Sequence, residues 1–256
     1  AGDCATLARA VVKRLPGYIH AWNILGECVQ QTGDLEGARE AFLKSLALQP
    51  TQPKVYLRLG DIDVSQGRYE SARRHYAQSL EQLPDLVDAN LAMGKLNLRE
   101  GRRDEAIGWY KRAVDADPKR AKASLQLAEL YFQKGELAEA RSWYEKTLSV
   151  ERGNYTYMAS LRAGICALRL GDPQGAEPHL RRASESNPAQ WQPLYHLACA
   201  ESQQGDTDAA LRALEAAAAK GFADVSKLQG DACLRPLATE QRFQSLVATM
   251  AGAAQH

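Results

Sequence analysis

Glycines at positions 33, 67, 101, 135, 171 and 205 are separated by 34, 34, 34, 36 and 34 residues. A period of this length means that one short unit is copied along the chain, and it points to a solenoid in which each unit packs against its neighbours. The prolines keep the same register: Pro16, Pro50, Pro84 and Pro118 are 34 apart, and Pro188 follows 70 later, two periods plus the same two extra residues. Length in such a chain reports the number of units, not the size of one core.

The segment from Ile19 to Gln52 serves as the reference unit. Trp22, Leu25, Gly26 and Val29 before Gly33, and Ala38, Ala41, Phe42 and Leu46 after it, both fall at helical spacing. Two helices joined by a tight turn are therefore expected, with Gly33 adopting positive φ at the first helix's end and Asp34 helping to start the second. Five residues after every hinge stands an alanine, at 38, 72, 106, 140, 176 and 210, which predicts close helix approach. Eight residues before each hinge come Leu25, Leu59, Met93, Leu127, Ala163 and Leu197, each followed by glycine or alanine. Nine residues after it stand Phe42, Tyr76, Tyr110, Tyr144, Leu180 and Leu214. The expectation is a large knob beside a small gap, with the bulky +9 residue filling space between one hairpin and the next.

Trp22 to Gly26, Ala38 to Phe42 and Pro50 reproduce the pattern W-x2-L-G, A-x3-F, P, and the chain resembles the tetratricopeptide repeat family over about residues 3–222. The resemblance implies an all-α, right-handed superhelical array of antiparallel helix hairpins. It departs from the family at the aromatic three residues after the small position. Tyr131 keeps it, whereas Val29, Asp63, Asn97, Ala167 and Glu201 replace it.

Residues 1–18 read as the second helix of a partial repeat, 19–224 as six hairpins, and 225–256 as a C-terminal capping segment. In the first part Leu7, Ala8, Val11 and Val12 fall at helical spacing, and an apolar edge left uncovered there would allow self-association. In the last part Leu228, Leu234 and Leu237 lead to Thr239 as an N-cap, then to Phe243, Leu246, Val247 and Met250 on one helix face. The two extra residues fall within Glu151 to Thr156, where Arg152 replaces the closing proline and Gly153 appears, so a bend is expected there. The tail is similar to one found after bacterial arrays of the family.

The resemblance also implies that the first helix of each pair lines a concave groove that binds a peptide or helix. Transferring its groove positions gives Asn23 and Glu27, then Lys54 and Asp61, then Leu91, Lys95 and Leu98. Leu125, Glu129 and Phe132 follow, then Met158, Leu161 and Ile165, and finally Tyr195. The apolar members form a strip with two readings: an exposed binding groove, or packing against the neighbouring first helix. Carboxylates at Glu27, Asp61 and Asp88 would repel an acidic chaperone tail, which favours a basic or amphipathic segment.

The remaining features narrow the function by exclusion. No G-x-S-x-G elbow, phosphate loop, dinucleotide fingerprint or H-E-x-x-H occurs, so no catalytic residue and no cofactor is expected. His196 and Cys199 share a helix face but two ligands complete no metal site, and none is expected. With 32 basic against 31 acidic residues and no basic stripe, nucleic acid is not an expected partner. No apolar run reaches the roughly 18 residues of a membrane span. Five scattered cysteines suggest no disulfide framework and lean toward a reducing, cytoplasmic setting, with a periplasmic one left open. The expected role is a non-catalytic scaffold for a protein or peptide partner. The alternative is a recruiting or regulatory arm of a larger enzyme or assembly protein.

Overall fold

The computed structural model of the chain describes residues 2–150 and 153–253. The described residues contain fifteen α-helices, one 3₁₀ segment and no strand, and they form two compact units, Ala1–Pro118 and Lys119–His256. The first unit holds α1 (Gly2–Arg14) and the hairpins α2 (Ile19–Gln31) with α3 (Leu35–Leu48), α4 (Pro53–Ser65) with α5 (Tyr69–Gln82), and α6 (Val87–Arg99) with α7 (Arg103–Ala116). The second holds α8 (Ala121–Lys134) with α9 (Leu137–Val150), α10 (Thr156–Arg169) with α11 (Pro173–Ser186), and α12 (Gln192–Gln203) with α13 (Thr207–Ala219). It ends with α14 (Val225–Gly230), a 3₁₀ segment (Ala232–Leu237) and α15 (Gln241–Ala253).

All six hinge glycines have φ between +73° and +85°. A Cβ there would crowd the neighbouring carbonyl by about 1–2 kcal/mol, so Gly101→Ala should lower the unfolding free energy by that amount in urea titrations. Gly108, inside α7 with open space around its Cα, provides the contrast: Gly108→Ala should raise stability by about 0.5–1 kcal/mol because only chain entropy is at stake. Behind the hinge, the Asp34, Asp172 and Asp206 carboxylates accept hydrogen bonds from the Gly37, Gly175 and Ala209 amides at 2.8, 2.8 and 3.0 Å, capping the second helices.

The six alanines at the +5 position are fully buried. The bulky +9 residue, however, fills the gap inside its own hairpin. A Cβ added to Gly26 would lie 2.5 Å from the Phe42 ring, and one added to Gly60 or Gly94 would strike Tyr76 or Tyr110 at 2.4 and 2.5 Å. The expected placement between successive hairpins is corrected accordingly, because the missing side chain opens its space toward the partner helix of the same pair.

Successive hairpins are joined by arginines at a fixed register, six residues after the hinge. Arg39 donates to Asp63 at 2.5 Å, Arg73 pairs with Glu100, and Arg141 donates to Asp172 at 2.6 Å. In the third hairpin Ile107 takes that register. Asp63 is the most enclosed of these acids, with none of its side chain exposed, and it also accepts from Arg68 at 3.0 Å and meets the His75 Nδ1 at 2.6 Å. Burial alone would raise its carboxyl, but hydrogen bonds from Arg39 and His75 outweigh this and hold it below the ordinary value of 3.8.

At the N-terminal end, Ala5, Ala8 and Val12 of α1 pack on α2 while Leu7 and Val11 face solvent. At the C-terminal end, Leu228, Leu234, Leu237, Phe243 and Met250 are buried in one core with α12 and α13. The final helix begins at Gln241, and the Glu240 carbonyl accepts from the Gln244 amide, so the cap falls one residue beyond Thr239. Of the segment in which a bend is expected, Glu151 and Arg152 lie outside the described residues. Two cysteine pairs are bonded, Cys4 to Cys28 and Cys199 to Cys233, with Cα separations of 5.8 and 5.1 Å. Scattered cysteines thus become neighbours because α1 lies against α2 and the 3₁₀ segment against α12. Cys166 alone is a free thiol, buried, which pushes it up to about 11.

Candidate interaction face

The first helices α2, α4 and α6 carry the candidate positions of the first unit. Glu27, Lys54 and Lys95 are exposed, whereas Asn23, Asp61 and Leu98 are half-buried. Asn23 donates through Nδ2 to Gln52 at 2.8 Å, tying α2 to the start of α4. Asp61 accepts from the Tyr76 hydroxyl at 2.9 Å. Burial raises the Asp61 carboxyl above its usual 3.8, against the opposing pull of Tyr76, Arg58 and Lys95. This carboxylate is therefore matched by its own surroundings, and its repulsion of an anionic partner is weaker than the residue type suggests. Leu91, one of the strip residues with two readings, is 3% exposed and belongs to the packing.

In the second unit the strip divides. Leu125 and Leu161 are 8% and 9% exposed and belong to the packing, Leu161 in the core shared with α12. Tyr195 is fully buried, contrary to its expected place in the groove. The C-terminal segment covers it: Phe222 packs on its ring at 4.8 Å, the Lys227 ammonium stands 4.6 Å over it, and its hydroxyl donates to Asp231 at 2.7 Å. Neighbouring His196 is lowered to about 4, by burial first and then by Lys227. The first-helix face of the last hairpin is thus occupied by the chain's own end.

What stays accessible lies on α8 and α10. Met158 is 42% exposed, and Met158, Arg162, Ile165 and Arg169 follow at spacings of four, three and four, one stripe of α10. Phe132 of α8 is half-buried beneath two guanidinium groups, Arg162 at 4.6 Å and Arg169 at 5.7 Å from its ring centre. Glu129, one turn before Phe132, accepts from the Tyr144 hydroxyl at 2.7 Å and lies 3.8 Å from Arg162. Each stacked arginine contributes roughly 0.5–1 kcal/mol to holding the ring in place. A guanidinium held over a ring still has N–H donors from which a planar carboxylate can accept. The sequence registers Phe132, Met158 and Arg169 at groove positions but gives no sign of Arg162, nor that both guanidiniums, from the following hairpin, lie over the Phe132 ring.

Tetratricopeptide repeat models match residues 17–85, 57–121, 97–165, 161–226 and 195–235. The chain belongs to the tetratricopeptide repeat family. Such repeats serve as protein–protein interaction scaffolds and are typically non-catalytic, and this TPR chain carries that scaffold. No curated protein sequence gives a match. Among solved structures it is similar to the C-terminal part of a TPR repeat-containing protein from Cytophaga hutchinsonii, with 18% identity, a TM-score of 0.66, and coverage of 89% of this chain and 93% of that one. A MamA protein is 21% identical with a TM-score of 0.57, covering 70% and 95%. YrrB, a TPR protein with an unusual peptide-binding site, is 18% identical with a TM-score of 0.58, covering 74% and 97%. At these identities the likeness is one of fold. No helix among the described residues is long and apolar enough to cross a membrane.

Proposed function

We propose that this TPR array binds a segment of a partner protein on the face formed by α8 and α10. An apolar residue of that segment meets Phe132 and Met158, and its carboxylates meet Arg162 and Arg169. The observation that carries the reading is the pair of guanidiniums over Phe132, with exposed Met158 one turn before Arg162 on the same stripe of α10. Apolar centre and cationic rim on one helix face are the elements of amphipathic-segment recognition. Because two guanidiniums, Arg162 and Arg169, stand against the single Glu129 carboxylate, the charge presented here is net basic, so the favoured ligand shifts from a basic segment to an amphipathic one with an acidic edge.

Peptides selected on the intact chain from a random-sequence phage library provide the probe. Phe132→Glu should weaken their binding at least tenfold, about 1.4 kcal/mol, and Arg162→Ala with Arg169→Ala should lower both the affinity and its salt dependence. Unchanged dissociation constants with intact helicity would reject this face.

A further inference from the structure

We infer that Cys199, Cys233 and Asp231 form a binding site for a thiophilic divalent cation such as zinc when the Cys199–Cys233 disulfide is reduced. The two sulfurs and one Asp231 carboxylate oxygen lie within 4.8 Å of one another. Among the described residues no other group of three such donors converges. The three come from separate parts of the second unit: Cys199 from the covered face of α12, and Asp231 and Cys233 from the start of the 3₁₀ segment. The site exists only when the C-terminal segment is folded over α12.

The donor chemistry matches the cation. Two thiolates and one carboxylate suit zinc, with bond lengths of about 2.3 Å to sulfur and 2.0–2.2 Å to oxygen, and water can take the fourth tetrahedral position. At that bond length two thiolate ligands stand about 3.7 Å apart, within reach of side-chain rotation at both cysteines once their bond is open. Asp231 is oriented as metal ligands commonly are: Tyr195 donates to its Oδ2 at 2.7 Å and the Cys233 amide to its Oδ1 at 3.2 Å. Cys199 is 4% exposed while Asp231 and Cys233 are half-exposed, so the site is dry on the α12 side and reachable from solvent on the other.

The chemistry balances in two steps. A dithiol reductant delivers two electrons and two protons to the disulfide, giving two thiols and the reductant's own disulfide. The cation then displaces one proton from each thiol to form two metal–sulfur bonds. Oxidation would reverse both steps and release the ion, so occupancy follows the state of the sulfurs.

The test uses the full chain, reduced and desalted without oxygen, then titrated with cobalt(II) and with zinc(II) against a chromophoric chelator. The reduced chain should take up one equivalent and show thiolate-to-cobalt charge transfer with the visible bands of a tetrahedral ion, whereas the oxidised chain should take up none. Asp231→Asn keeps a carbonyl acceptor for the Cys233 amide, and should weaken affinity at least tenfold with helicity unchanged. Cys233→Ser should abolish the charge-transfer band, and Cys4→Ser with Cys28→Ser should leave uptake intact. A reduced chain that binds no cobalt or zinc, a cobalt spectrum without thiolate charge transfer, or affinity indifferent to Asp231→Asn would overturn the assignment.

Discussion

Replacing Asp63 with alanine is expected to destabilise the first unit by about 3–5 kcal/mol, among the largest effects of any polar substitution in this chain. The side chain is fully enclosed and holds Arg39 from α3, Arg68 from the hinge and His75 from α5. Its loss leaves the 18%-exposed Arg39 and 21%-exposed His75 side chains facing a void where a carboxylate stood. The cost arises from uncompensated charge and unmade hydrogen bonds more than from the net worth of the ion pairs. Arg39→Ala should cost less, since Arg68 and His75 still serve the carboxylate. The pH dependence follows from the same site. Because the folded Asp63 titrates below 3.8, its contribution is fully present above the unfolded value and is lost as pH falls through the lower folded one. Urea titrations should show the gap between wild type and Asp63→Ala closing only below pH 3.8, and a gap that closed near neutrality would contradict the assignment.

Phe42→Ala should cost about 3–5 kcal/mol, because a fully buried ring is removed from a hairpin that cannot collapse around the hole. Gly26→Ala on its own should cost about 1–3 kcal/mol, since its new methyl would enter the ring carbons of Phe42. The informative measurement is the double variant. With the ring gone, the methyl at position 26 occupies part of the vacated space, so the double variant should be more stable than the sum of the single losses by about 0.5–3 kcal/mol. Calorimetric unfolding of the four proteins checks this, and strict additivity would mean that the two residues do not share one space.

Much of this architecture was legible in the sequence because the repeat imposes the same physics six times. The hinge glycines and the +5 alanines occupy positions whose backbone or steric demands admit few residues, so their recurrence revealed their structural roles, whereas the aspartate cap recurs only at Asp34, Asp172 and Asp206. The features that stayed hidden depend on neighbours distant along the chain. Asp63 and Glu201 stand where the family prefers an aromatic, and only the fold brings Arg39 and Arg181 to them, at 2.5 and 2.9 Å. The shared +6 register of Arg39, Arg73 and Arg141 was the available signal. Likewise nothing local to Tyr195 or Cys199 announces that residues 222–233 will fold over α12. The groove register placed Tyr195 on the accessible face, where the chain's own end now lies. The strip's ambiguity had a signal in the register: Leu91, Leu125 and Leu161 each stand ten residues before a hinge and are covered, whereas Met158 stands thirteen before and stays exposed.

The most direct test of the proposed interaction face is hydrogen–deuterium exchange of the full chain with and without a saturating library-selected peptide. The account predicts protection concentrated in α8 and α10, around Phe132 and Met158 to Arg169, and abolished by Phe132→Glu. Protection confined to α2 and α4, or to the outer helices α9 and α11, would contradict it.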